Sequence, residues 1–403
     1  MLVVGDRSDH GFAALRTRHF AEAVGDAAEV VDYREDVVEV ARTLRPRALV
    51  TAGNHGPTRA ALRILGEVDP ALPTWIDVAG DPFAEAQAAA GEDRPLVAAE
   101  ATAVWAPALA RGDAFSTVCD AGRDALYGAL GVLGRVPLWE AGREPLHVLP
   151  CAADFGDAPG EPRGPGLRVV LLGGFNTWFD DETLAAGLEV AMARADVTVE
   201  VFGGAIVGHH EAGFARFRDR ALRGPWADRY RFRGWVPHAE LALLTAGSHV
   251  TVCLDRPGAE ARLGARTRVL YALHRGLRVL ATPASPVVAE AVIAGLVEPL
   301  DVASHPGVGG GVEALAVALL EPRGAPPMWQ REQWLAARSV AATTGALRQW
   351  AAAPARSVPA PAADALLALT LERDRARTAL AEHRSTASFR LLDRVNRLLR
   401  FNP

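Results

Sequence analysis

The 403-residue chain carries 43 Lys and Arg against 48 Asp and Glu, a formal charge of −5, and half of its residues are apolar. That length exceeds one ordinary core and suits two, and the acidic balance excludes the broad basic field of a nucleic-acid-binding protein. Cys119, Cys151 and Cys253 show no CxxC or Cys/His spacing, which argues against a disulfide framework or a zinc site. The opening "MLVVGDRSDHGF" is too short an apolar run for a signal peptide. No other run approaches the roughly 20 residues that cross a bilayer, so the expected location is cytoplasmic.

Six short apolar runs come first: "MLVVG" (1–5), "AEVVDY" (28–33), "ALVTAG" (48–53), "TWIDVAG" (74–80), "FSTVCD" (115–120) and "LHVLP" (146–150). Between them lie segments such as "PTRAALRILGEV" (57–68), with apolar residues recurring at three and four. Strand alternating with helix predicts a parallel sheet covered on both faces, which binds ligands at the carboxyl ends of its strands. "AADFGDAPGEPRGPG" (152–166) is dense in Pro and Gly and reads as an interdomain linker. The alternation then restarts with strands expected at 167–174, 197–204, 229–235, 248–255, 277–282 and 296–301, and helices near 180–194, 210–222, 238–246, 264–275, 286–294 and 311–320.

Residues 328–350 read as one long helix carrying three tryptophans, and "AAAPARSVPAPAAD" (351–364) as an extended Ala/Pro linker. A charged helix is expected at 363–384. In the final stretch, 385–401, Arg390, Arg394, Arg397 and Arg400, with Arg384 just before it, face only Asp393, and Phe389, Leu392, Val395 and Leu399 share one face. This basic amphipathic tail suits either peripheral contact with an anionic membrane or oligomerisation. The expected layout is a first domain at 1–155, a linker at 156–166, a second domain at 167–325, a helix returning to the first domain at 326–350, an Ala/Pro linker at 351–363 and a helical tail at 364–403.

Strand-end loops hold the candidate chemistry. In "GGFNTWFDDE" (173–182), Gly173 and Gly174 let a ligand approach the backbone, and Asn176 and Thr177 offer polar groups; Asp180 and Asp181 read as N-caps. "GWVPHAE" (234–240) places Trp235 beside Pro237, either facing a nucleobase or forming a helix start with a core tryptophan. In "DRPGAEARLGARTR" (255–268), Gly264 leads into a helix with Arg266 and Arg268 in its first turn, an unfavourable place for cations unless an anion binds there. Those arginines either hold a diphosphate or pair with Glu260, Asp255 or the other domain. "TPASP" (282–286) adds Thr282 and Ser285. His209 and His210 are adjacent and cannot chelate one ion from a helix face. In the first half, His10, Asn54 with His55, and Asp77 with Asp81 place acids and bases at the lip of a cleft, although Asp81 also suits a turn into a helix and Asp77 a strand end.

"RFRGWVPHAELALLTAGSHVTVCLD" followed by "LGARTRVLYALHRGLRVLAT" resembles the donor-binding half of nucleotide-sugar glycosyltransferases of the GT-B fold, of the group 1 or family 4 kind. "LLGGFNTWFDDETLAAGLEVAM" is similar to a bacterial branch of them, and "WIDVAGDPFAEAQ" with "FSTVCDAGRDALYGALGVLGR" to the acceptor-side half. The resemblance covers about residues 1–350. It implies two Rossmann-like domains facing a cleft, and a hexosyltransferase-like enzyme moving sugar from a nucleotide-diphosphate donor to a hydroxyl acceptor, in cell-surface polysaccharide or glycosylated-metabolite synthesis. It also implies a base near Trp235 to His238, a diphosphate near Gly264 to Arg268, and Glu260 on ribose or sugar hydroxyls. No metal and no cofactor beyond the co-substrate are implied. Retaining transfer would need no side-chain base; inverting transfer would draw on Asp77, Asp81, His10 or His55. The chain departs from the family at Tyr271, which stands where a second glutamate is usual, and in lacking Arg and Lys after the strand at 167–174. A non-catalytic partner of another transferase, or a sugar-nucleotide epimerase, are the competing readings.

Overall fold

A computed structural model describes residues 1–88, 94–156, 165–206, 212–300 and 310–385. The first sheet is built from β1 (Leu2–Gly5), β2 (Glu29–Asp32), β3 (Leu49–Thr51), β4 (Thr74–Val78), β5 (Ala114–Thr117) and β6 (Leu146–Val148). The helices of this half are α1 (Gly11–Val24), α2 (Val37–Leu44), α3 (His55–Glu67), α4 (Pro82–Ala88), α5 (Arg94–Arg111) and α6 (Asp120–Val132). The second sheet contains β7 (Leu167–Gly174), β8 (Val197–Gly204), β9 (Tyr230–Gly234), β10 (Val250–Cys253), β11 (Arg278–Ala281) and β12 (Glu298–Pro299). Around it lie α7 (Asp181–Arg194), α8 (Ala212–Arg223), α9 (His238–Leu244), α10 (Ala259–Leu263), α11 (Thr267–His274), α12 (Pro286–Ile293) and α13 (Gly310–Leu320). The C-terminal helices are α14 (Met328–Ala336), α15 (Val340–Thr343), α16 (Gly345–Ala352) and α17 (Ala363–Ser385).

Every strand pairing is parallel. The orders are β2-β1-β3-β4-β5-β6 and β12-β11-β10-β7-β8-β9. Each sheet therefore reverses direction beside its own first strand, between β1 and β3 and between β7 and β10. Strand ends part there and leave a crevice at their carboxyl edge, where doubly wound sheets take ligands. Apolar side chains fill both faces, as all-parallel strands require. One cluster runs across the domain boundary, joining Ala79, Val118 and Cys119 to Cys253, Leu270 and Val288.

One expected helix is broken and another starts late. The segment at 328–350 is α14, α15 and α16, because Ser339 caps α15 through the Ala342 N–H, and Thr343 and Thr344 turn their hydroxyls back onto the carbonyls of Ser339 and Val340. Such side-chain bonds compete with a continuous ladder. The helix expected at 264–275 is α11, starting at Thr267, and Glu260, expected in the loop before it, stands on α10, a short helix of its own.

The C-terminal run ties the domains together. α14 packs on α11, where Arg331 donates to the Leu273 carbonyl, and α16 packs on α1. The Ala/Pro stretch is pinned to the first domain through Ser357 N–H to Asp113 and Ala360 N–H to the Ala110 carbonyl. α17 lies on α5 and α3, with the Thr370 hydroxyl donating to Ala103. Residues 152–156, expected to be free linker, are also anchored: Ala153 N–H donates to Arg338, and Asp154 accepts from Val340 N–H. Residues 157–164, His209 and His210, and the basic tail from residue 386 lie outside the described residues. Among those described, no helix is long and apolar enough to cross a membrane.

Candidate functional site

The crevice of the second sheet is framed by the loops after β7 and β10. They are stitched together by an antiparallel bridge between Phe179 and Asp255, and by the Arg256 N–H on the Trp178 carbonyl. Gly173 and Gly174 end β7, and Gly173 adopts φ +82°, a left-handed conformation that suits glycine. The guanidinium of Arg268, in the first turn of α11, lies over this pair and donates to the Gly174 carbonyl at 2.6 Å. A Cβ on Gly173 would come 3.6 Å from Nη2 of Arg268. Arg268 also faces the Phe179 ring at 5.3 Å, and no carboxylate among the described residues pairs with it. Asn176 Oδ1, Thr177 Oγ1 and, before α12, Ser285 Oγ are buried without hydrogen-bond partners. Buried polar atoms seldom stay unpaired, and this edge gathers a cation with three polar side chains that the described residues leave unpartnered.

Arg266 is employed differently. Its side chain is 4 % exposed and donates from Nε to Asp255 at 2.6 Å and from Nη1 and Nη2 to Glu260 at 3.0 and 2.7 Å. Burial pushes the Glu260 carboxyl up, while Arg266 opposes that shift. One guanidinium between two carboxylates has no positive charge to spare, so Arg266 does not serve as the expected diphosphate clamp. Glu260, likewise 4 % exposed, has both oxygens on Arg266 and is not presented to sugar hydroxyls. Gly264 explains the break between α10 and α11: a Cβ there would meet Glu260 Oε1 at 2.1 Å and Arg266 Nη1 at 2.7 Å. Thr282 Oγ1 accepts from Asp255 N–H, which steadies the same triad.

In the first domain Asp77 is fully buried at the end of β4. Arg16 donates to it at 3.0 and 2.8 Å, the Ser116 hydroxyl at 2.7 Å and the Gly53 N–H at 3.2 Å. Occupied on all sides, Asp77 fastens the sheet rather than acting as a base. Asp81 caps α4, accepting from Phe83 and Ala84 N–H groups at 3.0 and 2.7 Å. His55 begins α3 and accepts from the Trp105 indole N–H at 3.3 Å. His10 bonds Asp9 and packs against Trp235 across the domain boundary, ring centroids 5.4 Å apart. The His238 N–H donates to the Asp9 carbonyl and its ring bonds the Gly11 carbonyl, so His238 joins the domains, while Trp235 stays exposed and donates its indole N–H to the Ala205 carbonyl. Asp180 caps α7 as expected, whereas Asp181 is a buried hub bonded by Arg216 and Arg256.

Glu85, on α4, went unrecognised in the sequence. Its carboxyl accepts from the Asn54 amide at 2.9 Å and faces the second domain. It keeps some surface, yet so many protein atoms surround it that burial pushes its pKa up to about 8, with Glu260 and Asp81 adding repulsion. No spacing could have revealed this, because the shift arises first from burial in the folded chain and then from repulsion by Glu260 of the other domain.

No protein-family profile and no curated relative matches the chain. Among solved structures, a sucrose-phosphate synthase from Thermosynechococcus elongatus aligns over 94% of this chain and 99% of its own, at TM-score 0.56 and 12% identity. HepE of Anabaena, in complex with UDP and glucose, aligns over 94% and 99%, at TM-score 0.54 and 13% identity. A glycosyltransferase from Rickettsia africae aligns over 92% and 96%, at TM-score 0.50 and 12% identity.

The chain has the GT-B fold. Its two crevices therefore face one cleft, and within this GT-B frame Gly174, Asn176, Thr177 and Arg268 converge on the second-domain crevice. Glu260, Gly264, Arg266 and Thr282 form the support beside it. Tyr271, which the sequence resemblance sets where a second glutamate is usual, is buried edge-on against Phe155 at 5.2 Å between ring centroids.

Proposed function

We propose that the protein is a glycosyltransferase that takes a sugar from a nucleotide-diphosphate donor to a hydroxyl acceptor. The observation that carries this reading is Arg268, a cation with no carboxylate partner over a double glycine at the switch point of a GT-B second domain, beside three unpaired polar side chains. Transfer separates a diphosphate from a sugar ring that gains positive charge, so the site must stabilise the departing anion more strongly as the bond breaks. A fixed guanidinium and free polar groups can do this without a metal ion. Since HepE is in complex with UDP and glucose, UDP is the first nucleotide to try. Glu85 is the cleft carboxyl whose pKa, about 8, suits exchange of a proton with an acceptor hydroxyl near neutrality. The work of this enzyme belongs to surface-glycan or glycosylated-metabolite synthesis.

Titration calorimetry with UDP, GDP and ADP, with and without EDTA, tests the reading. One nucleotide should bind, Arg268→Ala should weaken it roughly 10- to 150-fold, the worth of a charged hydrogen bond, and EDTA should change nothing. Failure of all three to bind would refute the proposal. Binding without hydrolysis or transfer of the matching donor sugar would instead mark a non-catalytic partner.

A further inference from the structure

A cavity of about 430 Å³ lies between the domains, walled by Val78, Trp105, Leu109 and Leu126 of the first and by Ala259 and Leu263 of the second. Among the described residues, the only polar side chains able to ionise or to offer an amide at its wall are Asp81 and Gln87. Asp81 is spent on the cap of α4, and the Trp105 indole N–H is directed to His55. Among the described residues, no lysine or arginine reaches the wall. A sugar brings a hydroxyl on nearly every carbon, and those turned to this wall would lose their water without a partner; a phosphate would meet no cation among the described residues.

The chemistry of the wall thus selects an apolar occupant. We propose that this cavity receives the apolar aglycone of the acceptor, a fused-ring or short hydrocarbon moiety that carries the hydroxyl to be glycosylated. The assignment rests on the glycosyl-transfer reading for its purpose, though not for its chemistry. Its size sets a bound: an engineered cavity of about 150 Å³ takes up benzene, so one roughly three times larger suits two or three fused rings or a chain of about ten to fifteen carbons. Its position gives it a role, because α10 supplies both the far wall and Glu260, and α4 supplies both the near wall and Glu85. An apolar body seated there would rest on the two helices that carry these carboxyls, although neither carboxyl is itself part of the wall. Since both domains contribute wall, the pocket is complete only with the domains together, and occupancy would favour that arrangement.

The test is calorimetric titration of the full chain with 1-naphthol, farnesol and maltose, alongside UDP. Ala125→Phe, on the exposed face of α6, and Gln87→Phe, on α4, narrow the cavity from opposite sides without entering the core. Expected are one-site binding of 1-naphthol or farnesol, at least tenfold weaker in both variants, with UDP affinity unchanged and thermal unfolding confirming that the variants fold. Should one variant fail to fold, the other decides. The proposal is overturned if neither apolar probe binds the natural chain up to its solubility, if the variants bind them undiminished, or if maltose displaces them. Apolar binding without any nucleotide binding would sink the glycosyl-transfer reading and leave the cavity's assignment standing; the reverse pattern would do the opposite.

Discussion

The two switch points of this molecule are built on one plan and finished differently. In the first domain the carboxyl edge is closed by its own side chains: Arg16, Ser116 and Gly53 converge on Asp77, and Asn54 links Gly80 to Glu85. In the second domain the corresponding edge leaves Arg268 without a carboxylate and Asn176, Thr177 and Ser285 without partners. A crevice at a topological switch point is thus an opportunity that the local polar residues either fill or leave open. The same contrast recurs two residues apart on one chain, where Arg266 is saturated and Arg268 is not.

Removing one partner from the closed edge should have the largest effect. Asp77→Ala strands the Arg16 guanidinium in a buried site and should cost about 3–5 kcal/mol of stability, measured by urea unfolding. A loss below about 1 kcal/mol would mean that the edge is less closed than its hydrogen bonds indicate. Arg268→Ala should show the inverse pattern. Stability should change by no more than about 1 kcal/mol, while nucleotide affinity falls by about 1.5–3 kcal/mol. Equal losses in both measurements would erase the distinction between the two edges.

Glu85 offers a pH-dependent test. Its folded pKa, about 8, lies above the ordinary 4.5, so between those values the folded chain holds a proton that the unfolded chain has released. The contribution of this group to stability therefore declines as pH rises from 4.5 to about 8 and is constant beyond. Glu85→Gln should flatten that decline, seen in unfolding midpoints across the range. If the carboxylate accepts the acceptor proton, activity should rise with pH through about 8 in the natural chain and lose that limb in the variant. The smallest effect is expected from Ser285→Ala. With its hydroxyl unpartnered, the unliganded protein should be as stable or slightly more so, while nucleotide affinity drops by about 0.5–1.5 kcal/mol. A clear loss of stability would show that Ser285 already has a structural partner.

The sheets were legible in the sequence because parallel strands buried on both faces read as unbroken apolar runs; eleven of the twelve fall within the expected segments, and β5 starts one residue ahead of its own. Arg268, Asn176 and Thr177 were legible as strand-end polar residues. What could not be read was which polar groups would satisfy one another. Arg266 and Glu260 lie six residues apart, a separation equally open to pairing and to sharing a ligand, and only Gly264, lacking the Cβ that would collide with both, records the outcome. Asp77 meets Arg16 from a distant helix, and Glu85 takes its character from burial, with Glu260 of the other domain adding repulsion. The late start of α11 and the helix break near Ser339 follow from side-chain bonds that periodicity does not register.

The junction where residues 153–154 meet residues 338–340 has a mechanical consequence. Two passages of the chain cross between the lobes, and they cross side by side, fastened to each other by hydrogen bonds. A lone connector would let the lobes swivel and twist in any direction. Paired connectors act as two pins of a door, admitting a swing about one axis and resisting torsion, so the lips of the cleft can part and meet again in register.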